Sequence, residues 1–293
     1  MADWSETCRS TVAPWECDVT EHFTIAFYLD RVEMAGANLA DRLGVAETLR
    51  IGGFVRRFDL RFVHELRAGD SFHVESAPLG LDPDLRLGHR IVDSAGGETV
   101  TWVEESWELP SARLPAARRE GIGRQLAKWD VARWDVARWD GPAIERRPAP
   151  KSMAGAIPSA RGRAKPGDLD ENSRFSLAAF VHRFTDGLLQ TLAAIGMGGA
   201  SMKTARRGFS TFELALRISS APIPGTPYLV ETGIAHLGNS SIRFVHRMTD
   251  PRSRAEFARA DQFGVQLDLD TRRPAPLPEA VRARAAALLL PTG

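Results

Sequence analysis

The apolar positions of the chain fall into one pattern that occurs twice. Ile25, Leu29, Val32, Gly36, Leu39 and Leu43 follow one another at alternating spacings of four and three. Leu177, Val181, Phe184, Leu188, Thr191 and Ile195 repeat the pattern 152 residues later. Such spacing lays an apolar stripe along one face of a helix, so two long amphipathic helices are predicted. Gly44 and Gly196 stand where the stripes end, and glycine takes the left-handed backbone that closes a helix at little steric cost. Thr, Ser and Asn ahead of each stripe suit N-capping. After each helix the pattern changes to short runs rich in Val, Phe, Ile, Thr and Trp, over 54–65, 71–78, 86–93 and 99–109, and over 208–218, 228–237, 242–249 and 255–269. Turn dipeptides separate them, which predicts about four antiparallel strands per half behind each helix.

The same 152-residue offset aligns Pro14 with Pro166, Asp18 with Asp170, Phe23 with Phe175 and Ala26 with Ala178. Self-similarity at a fixed offset marks a duplicated unit. Residues 1–110 and 159–277 are therefore expected to be two equivalent modules, with 111–158 as a linker and 278–293 as a helical tail. The linker contains KWDVARWDVARWDG, a five-residue repeat that matches neither helix nor strand period. Its tryptophans, Trp129, Trp134 and Trp139, are expected on the surface or capping the sheets. Arg86, His89 and Arg90 match Arg243, His246 and Arg247 on equivalent strands, where both histidines are expected to be structural.

Charge adds mainly exclusions. The chain has 38 basic and 37 acidic side chains, net +1, so no bulk attraction to nucleic acid or anionic lipid is expected. No apolar stretch reaches the roughly 18 residues of a membrane span, and the amino terminus lacks the pattern of a secretion signal. A cytoplasmic protein is the expectation. Two cysteines, Cys8 and Cys17, make neither a disulfide framework nor a zinc motif. Gly196–Ser201 is rich in glycine but follows a helix, whereas a phosphate-binding loop precedes one.

The string V-A-P-W-E-C-D-V-T-E-H-F-T-I-A-F-Y resembles the opening motif of bacterial 4-hydroxybenzoyl-CoA-type and acyl-CoA/acyl-carrier-protein thioesterases, roughly P-W-x-C-D-x-M-G-H-x-N-x-x-x-Y. Pro14, Trp15, Cys17, Asp18, His22 and Tyr28 match it; Glu21 stands at the family's Gly and Thr24 at its Asn. Residues 58–70 resemble the following strand, and 242–276 the last strands and exit. In the second repeat the Gly, His and Asn positions hold Ser173, Arg174 and Ser176. The resemblance implies an α+β fold of two tandem hotdog modules, each a long helix wrapped by an antiparallel sheet. It further implies hydrolysis of an acyl-CoA or acyl-carrier-protein thioester without a cofactor or metal.

The residues suit that chemistry. A carboxylate at the strand-to-helix turn can orient or deprotonate water, or attack directly. Amides at a helix N-terminus can hold the oxyanion. Asp18 and Asp170 are the candidate carboxylates, with helix capping as the alternative role for each. His22 and Thr24 are expected on the first helical turn, with Asn172 and Ser176 as second-half candidates. Glu33 matches a commonly acidic helix position. Arg56, Arg57, Lys203, Arg206 and Arg207 are candidates to grip the phosphates of the substrate, or are solvated loop charges. Two rival readings stand beside hydrolysis: a non-catalytic acyl-CoA-binding protein, and a hotdog hydratase or dehydratase. Exposed sheet edges would make pairing into a homodimer unsurprising.

Overall fold

The computed structural model describes residues 4–18, 20–81, 84–109, 120 and 150–291. Trp129, Trp134 and Trp139 and most of the expected linker lie outside them. The chain divides into two compact units, Met1–Ile144 and Glu145–Gly293. In unit 1, strand β1 (Ser5–Thr11) leads to helix α1 (Ile25–Arg42) and short helix α2 (Ala46–Gly52). Strands β2 (Phe54–Phe62), β3 (Ser71–Leu81), β4 (Leu85–Asp93) and β5 (Thr99–Glu108) follow. They pair antiparallel in the order β1-β3-β4-β5-β2.

Unit 2 repeats the plan with β6 (Ile157–Arg163), α3 (Leu177–Ala194), α4 (Gly199–Ala205), β7 (Arg207–Ile218), β8 (Pro227–Leu237), β9 (Ser241–Thr249) and β10 (Glu256–Asp268). Its order is β6-β8-β9-β10-β7, with the two-residue β11 (Arg273–Pro274) on β10 and a terminal helix α5 (Glu279–Ala286). Each unit is thus the predicted α+β arrangement of one long helix on an antiparallel sheet. α2 and α4 were not expected: each has seven residues, too few for a stripe to show.

The stripes form the cores. Leu39 and Leu43 pack with Val45, Leu49, Leu85 and Leu87 in unit 1. Leu188, Leu192 and Ile195 pack with Ile234, Phe244 and Val281 in unit 2. Each such side chain contributes about 2 kcal/mol of apolar burial. The helices also stop alike. Gly44 and Gly196 adopt φ of +67° and +93°. The amide of the residue after each glycine reaches back to the helix, Val45 N to Ala40 O at 2.9 Å and Met197 N to Leu192 O at 2.7 Å. This is the bond that satisfies the last free carbonyls of a helix.

Beneath each helix runs a buried polar chain. In unit 1, Thr7 Oγ1 meets Ser76 Oγ at 2.6 Å and Ser76 Oγ meets His89 Nδ1 at 2.6 Å. His89 Nε2 then meets Glu105 Oε1 at 3.2 Å. α1 passes so close that a Cβ on Gly36 would lie 2.8 Å from Glu105 Oε1. In unit 2, Ser159 Oγ meets Thr232 Oγ1 at 2.7 Å, which meets His246 Nδ1 at 2.8 Å. There Gln262 replaces the glutamate and donates to Thr211 Oγ1 at 2.6 Å, leaving His246 Nε2 without a hydrogen bond. Both histidines are fully buried and structural, as expected. The flanking arginines turn to the opposite face and bind carboxylates across neighbouring strands: Arg86 with Glu104, Arg90 with Glu75, Arg243 with Asp261 and Arg247 with Glu231.

Burial pushes the His246 imidazole down to about 4 from an ordinary 6.5. The unfolded chain therefore binds the proton at a pH where the folded chain does not. The stabilisation is complete above pH 6.5 and falls as pH drops toward 4. By pH 5 the loss from this residue is about 2 kcal/mol. The protection factors of the β8 and β9 amides, taken against the unfolded chain at the same pH, should fall over that window, and His246→Gln should remove this fall.

Candidate active site

The segment between the first strand and the long helix is built identically in both units. A 3-10 turn, Pro14–Glu16 or Pro166–Asp168, is closed by the acidic side chain at its end. Glu16 Oε2 accepts from Ala13 N at 2.9 Å, and Asp168 Oδ2 from Lys165 N at 2.8 Å. An arginine of the following helix is paired with that carboxylate, Arg31 with Glu16 at 2.5 Å and Arg183 with Asp168 at 4.0 Å. Trp15 of the first turn is 80% exposed.

Asp18 and Asp170 come next, and neither caps a helix. The N-caps are Thr24 and Ser176. Each aspartate instead organises its own loop. Asp18 Oδ1 accepts from Thr20 N at 2.8 Å, Thr20 Oγ1 at 2.6 Å and His22 N at 3.3 Å. Asp170 Oδ1 accepts from Asn172 N at 2.9 Å and Arg174 N at 2.8 Å. The backbone closes both loops, Asp18 N to His22 O at 2.9 Å and Asp170 N to Arg174 O at 2.7 Å.

The loop explains the glycine of the family motif. Glu21 has φ +67° and Ser173 φ +58°, the left-handed region that glycine enters most readily. This chain holds the turn without glycine, through the bonds that the aspartates make. Glu21→Gly is therefore expected to stabilise unit 1 by about 1 kcal/mol by relieving the strain. Urea unfolding would measure it; a loss of stability would mean that the contacts of Glu21 outweigh its backbone conformation.

Beyond the shared scaffold the two loops differ. His22 precedes the helix instead of lying on its first turn, and its Nε2 stands 3.0 Å from Glu65 Oε1 in the β2–β3 connection. The two strands of chain are tied there by the backbone, Phe23 N donating to Leu66 O at 2.8 Å. In unit 2 the histidine position holds Arg174. Aligning β2 with β7, Leu60-Arg61 upon Leu216-Arg217, places Ala221 opposite Glu65. Unit 2 thus lacks both members of the pair. The helix starts differ as well. Ser176 Oγ accepts from Ala179 N at 3.0 Å, whereas Thr24 makes no side-chain cap. At the equivalent place in α1, Phe27 N donates to the Thr24 carbonyl at 2.9 Å instead.

Sequence reasoning singled out Asp18 and His22 and passed over Glu65, which the fold sets beside His22. It lies in a connecting loop, 43 residues from His22, and belongs to no local motif. The signal available was the repeat itself, which has an apolar residue at the matching place. Glu33 sits eight residues into α1, about 12 Å along the helix from Ile25 at 1.5 Å per residue, so it is well removed from the loop.

The basic candidates lie apart from this cluster in sequence and are mostly paired. Arg56 binds Glu108 and lies over the Phe54 ring, with its guanidinium carbon 4.6 Å from the centroid. Arg57 binds the buried Asp59. Arg206 is the left-handed cap of α4 and meets Asp270 at 2.8 Å; Arg207 opens β7 and binds Asp268. Lys203 is exposed on α4. The strand alignment sets Arg56 and Arg57 opposite Phe212 and Glu213, so the two basic groups do not occupy equivalent places. Among the described residues no cluster of His, Cys, Asp and Glu could hold a metal ion, and no helix is long and apolar enough to cross a membrane.

The model of the thioesterase-like superfamily matches residues 12–106 and 164–285, one region in each unit. No curated protein sequence matches the chain. Among the solved structures that resemble it, three do so over most of its length. An acyl-ACP thioesterase from Bacteroides thetaiotaomicron is 12% identical over 87% of this chain and 96% of its own, with a TM-score of 0.64. A protein from Lactobacillus plantarum described as an oleoyl thioesterase is 14% identical over 95% and 99%, with a TM-score of 0.65. A 12:0-ACP thioesterase from Umbellularia californica is 14% identical over 91% and 93%, with a TM-score of 0.63. At these identities the likeness is one of fold: two hotdog modules in tandem.

Proposed function

We propose, from the premise that the chain belongs to the thioesterase-like superfamily, that it hydrolyses an acyl thioester of coenzyme A or of a carrier protein at one site, carried by unit 1. The observation that carries this reading is the His22–Glu65 contact at 3.0 Å beside Asp18, for which unit 2 offers Arg174 and Ala221. Three functions are needed, and unit 1 has a group for each. Asp18, a carboxylate whose Oδ1 is fixed by three donors, orients water and takes its proton through Oδ2 as the water oxygen attacks the carbonyl. The amides opening α1, aided by the helix dipole, hold the oxyanion. His22, its Nε2 held by Glu65, donates from Nδ1 in its imidazolium form to the thioester or to the departing thiolate. The tetrahedral intermediate expels the thiolate, which takes up the proton that Asp18 had drawn from water; the product acid then ionises, leaving a carboxylate, a free thiol and the aspartate as it began.

The acyl-ACP thioesterases that share the fold support a thioester over other esters. Coenzyme A and carrier protein present the same phosphopantetheine thiol, so either fits this site. Thiol release from purified protein, measured over short, long and aromatic acyl-CoAs and the matching acyl-carrier proteins, tests the reading. Turnover sensitive to Asp18 and indifferent to Asp170 is the expected result. Binding without thiol release from any substrate would assign the chain to ligand binding instead.

A further inference from the structure

We propose that Tyr28 is the positioning residue of the His22–Glu65 pair, an inference that rests on the reading above. Its ring is wedged between the two segments that carry the pair. It lies 4.5 Å from the ring of Phe23, the neighbour of His22, and 5.1 Å from Phe62, three residues before Glu65. The side chain is buried, and its hydroxyl lies against the backbone of Leu66, the neighbour of Glu65, and against the Thr101 side chain of β5. The Leu66 carbonyl meanwhile accepts from Phe23 N at 2.8 Å. A backbone bond and the tyrosine thus both hold the Glu65–Leu66 segment to the His22–Phe23 segment. Burial keeps the phenol well above its ordinary range, so it remains a neutral hydroxyl.

Unit 2 provides the comparison. Phe180 stands at the Tyr28 position and keeps the ring contact, 4.7 Å from Phe175, but has no hydroxyl. The hydroxyl is present in the unit that has the histidine and glutamate, and absent in the unit that has lost both. Apolar packing alone needs only the ring, as Phe180 demonstrates. The hydroxyl ties the loop that bears Glu65 to β5, through Leu66 and Thr101.

Tyr28→Phe copies the residue of unit 2 and retains the packing. The melting temperature should stay within about 2 °C. Misplacing Glu65 by part of an ångström should lower kcat about tenfold with KM changed less than about twofold. In a Glu65→Gln background the same substitution should cost nothing further, because the contact it serves is already gone. Phe180→Tyr should leave turnover unchanged. A crystal structure of Tyr28→Phe gives a readout independent of activity: the His22–Glu65 contact should open beyond hydrogen-bond distance. An intact contact with unchanged kcat, or an equal loss in the Glu65→Gln background, overturns the proposal. If the unaltered chain releases thiol from no thioester, the functional reading fails, and the His22–Glu65 distance alone still decides the role of Tyr28.

Discussion

Asp18→Asn is expected to lower kcat by a factor of about 10² to 10⁴ while leaving unit 1 folded. The design exploits the two roles of this side chain. The scaffolding role falls on Oδ1, which accepts from Thr20 N, Thr20 Oγ1 and His22 N. An asparagine oxygen can accept the same three bonds, so the loop and the left-handed Glu21 persist. The catalytic role needs negative charge to draw a proton from water, and the amide has none. Stability and thioester binding should therefore change little while turnover collapses. Asp170→Asn should leave kcat within about twofold, since its loop carries neither the histidine nor the glutamate. Thiol-release kinetics with a parallel thermal melt of each variant separate the outcomes. Unaltered turnover in Asp18→Asn would reduce this aspartate to the holder of a turn. Equal losses in both variants would mean that both loops act on the substrate.

Glu105→Ala is expected to cost about 3–5 kcal/mol of stability, the range for stripping one partner from a buried ionisable pair. The proton inventory of the chain explains the size. Thr7 donates to Val74 O at 3.2 Å, which leaves the Ser76 proton for Thr7 and makes His89 the donor from Nδ1. His89 Nε2 and Glu105 Oε1 are then joined by the remaining proton, 3.2 Å apart and out of contact with solvent. Alanine removes that partner and opens a cavity under Gly36 of α1. Glu105→Gln should cost about 1 kcal/mol or less, because an amide of nearly the same shape can still meet Nε2 and leaves no cavity. Urea unfolding followed by a fluorescence signal from unit 1 gives the comparison. Equal, small losses in both variants would show that the packing of α1 does not depend on this contact.

Much of the fold was legible because it is written in periodicity. The stripe from Leu29 to Leu43 is the buried face of α1, and Gly44 and Gly196 end their helices as their positions suggest. The alternation of Arg86, His89 and Arg90 anticipated an inward histidine between outward arginines. The site was legible only where it is local in sequence. Asp18 and His22 lie within one short motif. Glu65 reaches His22 only after the chain has run the length of α1 and β2, and tertiary contacts of that kind leave no pattern in a window of ten residues. The capping explanation for Asp18 and Asp170 failed for a related reason. An Asx-type turn and a helix cap draw on the same residue types, and the turn here is completed by bonds that a sequence does not rank.

The duplicated loop has a consequence for how such a chain changes over generations. Its shape is set by Asp18 or Asp170, the 3-10 turn and the arginine from the helix, none of which depends on what stands at positions 22, 65 and 28. One copy can drift at its chemical positions without any penalty in folding, provided the architectural residues are kept. The aspartate is therefore a poor marker of an active copy in a tandem chain. On the proposed reading, the histidine, glutamate and tyrosine, which part from the scaffold together, are the better record of which copy selection still reads.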